Sequence, residues 1–283
     1  MALITMENME DISPVFKGKF GNGLARLMMR ITGVDKVSER YGRHEDLSGQ
    51  EFASAFLKDL NLSYEVQGLE HLQPVALDGP FITISNHPYG GIDALVLIDL
   101  FGYLREDYRL MVNKFLSKAK TLDDNFIYVV PKTKSTMGIS QESIEGMRKT
   151  LEHINEGHPL GIFPSGAVSD FSFKDFCVRD REWQQSAAEL IRYLKVPVVP
   201  VRFFDRNTNW FYFLGLIHWK LRTLRLPREI LNKEGKTVRL GIGEVITVEE
   251  QMSVPEADYA AMLRSSVYGI VESNKNKRYG CHD

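Results

Sequence analysis

Cysteine is scarce: Cys177 and Cys281 are the only two in 283 residues, and neither stands at metal-ligand spacing. No disulfide framework or thiolate metal site is expected, and free thiols in a reducing compartment are. Net charge is nearly absent too, with 35 Lys and Arg against 37 Asp and Glu for a formal −2. No global field draws such a chain to nucleic acid, which is therefore not an expected partner. No uninterrupted apolar run approaches the ~20 residues of a membrane-crossing helix. The opening MALITMENMEDISP is acidic and lacks a basic-then-apolar pattern, so no secretory leader is expected. Internal repeats and low-complexity segments are also missing. What remains is 43% hydrophobic and 25% charged, a balance that fills one large core.

Periodicity divides the chain into three parts. Residues 1–72 read as an N-terminal helical segment packed on the main domain. Phe20, Leu24, Leu27, Met28 and Ile31 fall at helical spacing before Gly33, and Phe52, Phe56 and Leu60 repeat the pattern. Residues 73–250 alternate strands with helices. The strands are expected at Phe81–Ile84, Arg109–Val112, Phe126–Val130, Leu160–Phe163, Val196–Val201 and Val238–Val248, and helices at Ala94–Leu104, Ser140–Asn155 and Trp183–Leu194. Residues 251–283 give a final helix from Pro255 and a polar tail. The alternation predicts an α/β fold, a layered structure with a mostly parallel central sheet flanked by helices.

Chemistry-bearing residues gather at the turns after the strands. Asn86, His87, Pro88, two glycines and Asp93 lie between the Phe81 strand and the Ala94 helix. An imidazole there can take a proton from a hydroxyl while a carboxylate fixes its tautomer. In the plainer alternative, His87 caps the helix and Asp93 pairs with a surface lysine. Lys132 and Ser165 follow two other strands, and in parallel sheets the working residues lie beyond the strands' carboxyl ends. Lys132 and Lys134 suit an anion or plain solvent. Ser165–Gly166 lacks the first glycine of a Gly-x-Ser-x-Gly nucleophile turn. Farther on, Trp210, Phe211, Trp219, Lys220, Arg222 and Arg225 suit a membrane interface, with rings at headgroup level and cations over anionic lipid. They suit equally a core with a solvated basic face.

Asn86-His87 with Asp93, then Phe163-Pro164-x-Gly166, then Val196-Pro197-Val198-Val199-Pro200-Val201 resemble in order the blocks of the glycerolipid (lysophospholipid) acyltransferase family. Phe211-Tyr212, Leu221-Arg222-Thr223, Leu226-Pro227-Arg228-Glu229 and Asn232-Lys233 resemble its bacterial hemolysin-like branch, which makes ornithine and glycine lipids. The resemblance covers roughly residues 50 to 250. It implies an O-acyltransferase, peripheral on the cytoplasmic face of the cell membrane. Such an enzyme moves a fatty acyl group from an acyl-carrier protein or coenzyme A thioester to a lyso-lipid hydroxyl, with no bound cofactor and no metal. His87 would be the base and Asp93 its orienting partner. Asn86, Lys132, Lys134, Ser165 and Gly166 would face substrate, with Arg179 and Arg181 as further candidates. Backbone amides of the Gly90–Gly91 or Ser165–Gly166 turns would meet the oxyanion.

Two departures bear on the substrate. Five residues separate His87 from Asp93 where the common pattern has four. Ser165 and Val168 stand where that pattern has glutamate and arginine, the residues associated with the acceptor's phosphate end. A lyso-amino-acid lipid is thus the expected acceptor, ahead of 1-acylglycerol-3-phosphate. A serine hydrolase and a non-catalytic membrane-binding module are the remaining readings.

Overall fold

The computed structural model describes residues 18–73, 75, 78–114, 117, 119–129 and 141–273. The chain opens with three helices, α1 (Gly18–Thr32), α2 (Val34–Gly42) and α3 (Gly49–Asp59), and then enters strand β1 (Ser63–Gln67). There follow β2 (Ile82–Ser85), α4 (Gly91–Leu104), β3 (Arg109–Asn113), β4 (Phe126–Val129), α5 (Gln141–Asn155) and β5 (Leu160–Ile162). A short hairpin of β6 (Asp170–Ser172) and β7 (Cys177–Arg179) precedes α6 (Gln185–Leu194) and β8 (Val198–Phe203). The chain continues through α7 (Asn209–Ile217), α8 (Trp219–Leu231), β9 (Thr237–Ile242), α9 (Val248–Ser253) and α10 (Glu256–Tyr268).

Seven strands form one sheet in the order β1-β9-β8-β2-β5-β3-β4, parallel throughout except where β8 meets β9. The mostly parallel α/β sheet expected from the alternation is the one observed. β2 is central, and all four of its residues are buried, because helices cover both faces of the sheet. One face packs on Phe52, Phe56, Leu97 and Phe101 of α3 and α4. The other packs on Ile191, Tyr259, Leu263 and Val267 of α6 and α10.

Three expectations need correction. The boundary at residue 72 does not hold, because β1 lies inside the supposed helical segment and pairs with β9 as a strand of the main sheet. Its Ser-Tyr-Glu-Val-Gln alternation is the signal, too short to stand out beside the helices. The α1 stripe is not buried: Phe20 is 98% exposed, and Leu24, Leu27 and Ile31 are exposed with it, because α1 rests on α2 and α8 through its other side. Cys177 is disulfide-bonded, not a free thiol. Lys132 and Lys134 fall outside the described residues.

β5 reaches its neighbours through a glycine. A Cβ at Gly161 would sit 2.2 Å from the Tyr108 hydroxyl and 2.3 Å from Leu110 Cδ2, both fully buried. The Tyr108 hydroxyl is already fixed by Thr83 Oγ1 at 2.7 Å. Gly161→Ala is expected to destabilise the fold by about 1–3 kcal/mol through overpacking. Denaturant midpoints measure this, and an unchanged midpoint would show that the core relaxes at this point.

Candidate active site

Three neighbouring strands, β8, β2 and β5, bring their carboxyl ends to one rim. The chain leaves β2 through Asn86 and His87, turns at Pro88–Gly90 and starts α4 at Gly91. Gly90 takes φ +86°, a conformation L side chains rarely adopt. That turn carries the backbone into the first turn of α4, where Asp93 reaches back. Its Oδ2 accepts the Tyr89 and Gly90 amides, each at 2.9 Å, and stands 2.9 Å from His87 Nδ1. The contact with the ring is at ion-pair distance but bent from a straight hydrogen bond, leaving Nδ1 without an aligned partner. Asp93 is fully buried. Burial pushes its carboxyl above the usual range, while His87 and the two amides pull the other way. Five intervening residues therefore still allow the His–Asp contact, because the glycine turn absorbs the extra one.

The imidazole is held on its other sides as well. The Phe163 ring, first residue after β5, stacks on it with centroids 4.0 Å apart. The His87 amide donates to Asp180 Oδ1 at 3.1 Å, and the His87 carbonyl accepts the Ser169 amide at 2.8 Å. Ser169 Oγ and Trp183 Nε1 also donate to Asp180, at 2.5 and 3.3 Å. Burial raises the Asp180 carboxyl, against the pull of the Ser169 hydroxyl and the His87 amide. Sequence reasoning passed over both Asp180 and Ser169. Asp180 lies between the two arginines that were considered, and no local pattern marks it.

Asn86 is buried and completes the sheet. Its Nδ2 donates to the Phe203 carbonyl at 2.9 Å, and its Oδ1 accepts the Phe203 amide at 2.7 Å. Its amide thus extends the β2–β8 ladder by one step, facing backbone where the sequence suggested substrate. Ser165 is buried and donates to the Ala167 carbonyl at 2.8 Å, within its own turn. Its proton goes to a carbonyl, not to the imidazole, which weighs against a serine nucleophile. Gly166 has φ +63°, and a Cβ there would lie 2.1 Å from Gln184 Nε2. The Gly90 amide is taken by Asp93 and the Gly166 amide by the Phe163 carbonyl, so these two are not available to an oxyanion. Among the described residues there is no cluster of three or more His, Cys, Asp or Glu suited to a metal.

The aromatic stretch forms α7 and α8, which fold against this rim. Leu226 and Ile230 of α8 reach Gly90 and Gly91. Trp210, Trp219 and Lys220 are exposed, together with Phe213, Ile217, Leu221 and Leu224. Two of the expected interface residues are not. Phe211 is fully buried, since it lies on the inner face of α7 with Tyr212. Arg222 is buried with its guanidinium over that ring, 5.5 Å from the Phe211 centroid; it pairs with Asp170 and donates to the Ser169 carbonyl at 3.3 Å. Arg225 is partly covered and ion-paired with Glu229 at 3.3 Å. Arg181 pairs with Asp170 and Arg179 with Asp175. A linear pattern of rings and cations cannot say which side of a helix each one takes.

Comparison with known proteins identifies the family. Two bacterial proteins, each named lyso-glycine lipid O-acyltransferase, are similar over most of their length. One, from Phocaeicola vulgatus, is 28% identical over 92% of this chain and 94% of its own. The other, from Bacteroides thetaiotaomicron, is 24% identical over 86% of this chain and 88% of its own. The crystal structure of the 1-acyl-sn-glycerophosphate (LPA) acyltransferase PlsC from Thermotoga maritima aligns over 77% of this chain and 79% of that one, with 14% identity and a TM-score of 0.45. That likeness is too loose to inform the substrate. The family model described as Acyltransferase matches residues 18–275, nearly the whole chain. The His–Asp turn at the sheet's carboxyl edge is thus the candidate site of an acyl-transfer enzyme, and the chain belongs to the acyltransferase family.

Proposed function

We propose that this acyltransferase moves a fatty acyl group from an acyl thioester, carried by acyl-carrier protein or coenzyme A, to the hydroxyl of a lyso-amino-acid lipid. The observation that carries the chemistry is the 2.9 Å approach of His87 Nδ1 to buried Asp93. With Nδ1–H turned to the carboxylate, the lone pair sits on Nε2, which takes the proton of the acceptor hydroxyl. The acceptor oxygen bonds to the thioester carbon, the carbon–sulfur bond breaks, and the thiolate leaves with the proton from Nε2. Asp93 stabilises the imidazolium between these steps. No acyl-enzyme is required, in keeping with the inward-turned Ser165 hydroxyl.

The acceptor follows from the turn of Phe163 to Val168. A phosphate monoester favours a fixed guanidinium fork. Val168 packs against Gly90 where that fork would be, and Arg222 is committed to Asp170. Such a rim suits one weaker anion, the carboxylate of a glycine or ornithine lipid whose 3-hydroxy fatty amide supplies the hydroxyl. The printed names of the two bacterial relatives favour the glycine form.

We place the enzyme on the inner face of the cell membrane. Among the described residues no helix is long and apolar enough to cross a bilayer. α7, α8 and α1, which packs on α8, each expose rings or leucines. Arg26, Arg30 and Lys220 are exposed on the same helices. Apolar side chains with cations beside them match an anionic lipid surface.

Four tests bear on these readings. His87→Ala is expected to lower turnover by roughly 10²–10⁴-fold in a folded protein; near-normal transfer removes His87 as the base. Asp93→Asn should also impair turnover yet keep or raise Tm. A raised carboxyl pKa means the folded chain holds the proton above the ordinary pH, so this group's contribution falls as pH rises through that window and the neutral-pH ion opposes folding. A clear Tm loss would show that the ion supports the fold.

For the acceptor, kcat/KM with lyso-glycine or lyso-ornithine lipid should exceed that with lysophosphatidic acid from the same donor. The reverse preference assigns the enzyme to phospholipid synthesis. For the membrane, anionic vesicles should retain the protein, with partial release by salt. Glutamate at Phe20, Trp210 and Trp219 should abolish what salt leaves, and unchanged retention in that folded variant rules out this face.

A further inference from the structure

Behind the catalytic turn lies a buried polar cluster that the reaction as described does not use. Glu229 at the end of α8, Lys233 just beyond it and Asn207 after β8 are all nearly inaccessible to solvent. Lys233 Nζ donates to Asn207 Oδ1 at 2.9 Å and sits 4.6 Å from the centroid of the Tyr89 ring. Asn207 Nδ2 in turn donates to the Tyr89 carbonyl at 3.4 Å. The Tyr212 hydroxyl donates to the Pro88 carbonyl at 3.4 Å and accepts the Asn207 amide at 3.2 Å. Glu229 accepts the Thr208 amide and hydroxyl at 3.1 and 2.7 Å and lies 3.8 Å from Lys233 Nζ. Every contact of this cluster with the turn falls on residues 88–89, directly before the two amides that hold Asp93.

We propose that Lys233 is a positioning residue for acyl transfer: as a cation it clamps Asn207 and the Tyr89 ring, and through them the Tyr89 and Gly90 amides that hold Asp93 against His87. A buried ammonium is expensive unless it has partners. Here the partners are an amide oxygen and a π face, both tied to the active turn, and the Glu229 carboxylate behind them. A neutral amine would keep a hydrogen bond to Asn207 but lose the pull on the ring and on Glu229.

The surroundings set where the clamp lets go. Glu229, Asp93 and Asp205 favour the cation and Lys236 opposes it. Arg225 shares Glu229, and Arg239 shares Asp205. Burial dominates and brings the Lys233 ammonium down to about 8. Between that pH and its ordinary 10.5 the unfolded chain binds the proton more tightly, so this group's contribution to stability rises with pH. Activity and stability therefore respond in opposite directions, which a purely structural lysine would not produce.

This inference rests on the acyl-transfer reading, and its test includes a readout that does not. In wild type, kcat should fall above pH about 8 while Tm does not fall with it. Lys233→Met should lower kcat roughly 10–100-fold with little change in KM, and its alkaline limb should vanish. Lys233→Arg should restore much of the rate and carry the plateau to higher pH. Glu229→Gln, which removes the anion that favours the cation, should move the limb to lower pH. Independently of any substrate, hydrogen-exchange protection of the Tyr89 and Gly90 amides, corrected for intrinsic rates, should weaken through pH 8 in wild type. If Lys233→Met does not fold, the wild-type and Glu229→Gln profiles decide. A folded wild type with constant kcat and constant protection to pH 9.5, or a limb unchanged in Lys233→Met, overturns the proposal. Inactivity toward every acceptor, with pH-dependent protection intact, would count against the substrate reading alone.

Discussion

A carboxylate with no access to water sits at the start of α4, and the active turn is built to keep it there. One oxygen of Asp93, Oδ2, is held by two backbone amides placed by the positive φ of Gly90, while Oδ1 has no hydrogen-bond partner. Those amides lie in the short segment between the central strand and the helix, so the position of His87 follows from sheet geometry, not from side-chain flexibility. Burial opposes the ionised form, and the local donors offset it only in part. A group held against its own solvation preference is common where chemistry needs it, and the stability lost there is recovered elsewhere in the fold.

The surrounding packing shows where that recovery lies. Asn86 extends the sheet by a step of paired amide bonds to Phe203, and Ser169 and Asp180 close on the His87 backbone. These are rigid contacts from strand ends. The imidazole itself meets a single ring face, Phe163, and Asp93. Backbone rigidity and side-chain openness are thus separated within one residue, as the base role proposed for His87 requires.

Much of this was legible in the sequence. Strand runs rich in Ile and Val, helical spacing between them and a glycine turn after the central run identify the sheet and place His87 and Asp93 at its working edge. Most boundaries moved by no more than about three residues, as for Val198–Phe203, while the last strand ends at Ile242, well short of the expected Val248, because element ends are decided by neighbours. What stayed illegible was long-range. β1 pairs with a strand some 170 residues later, so its alternation had no visible partner. Asp180 acts through a backbone amide 93 residues away. Arg222 and Phe211 lie in a stretch whose composition suits lipid, yet they face inward. Helical phase is set by the rim they pack on, and α1, whose stripe looks like core, faces outward for the same reason.

The close approach at Gly90 limits how the turn beside His87 can vary. A side chain there would meet Leu226 at 3.2 Å and Val168 at 3.4 Å, and the left-handed backbone would strain it besides. The turn itself is therefore closed to variation. Room beside it is fixed by two aliphatic side chains from distant parts of the chain, one on α8 and one in the loop after β5. Trimming or enlarging either alters the packing beside the turn and leaves its backbone restriction in place. Variation next to the His–Asp pair is therefore confined to side chains that pack on the turn, Leu226 and Val168 among them.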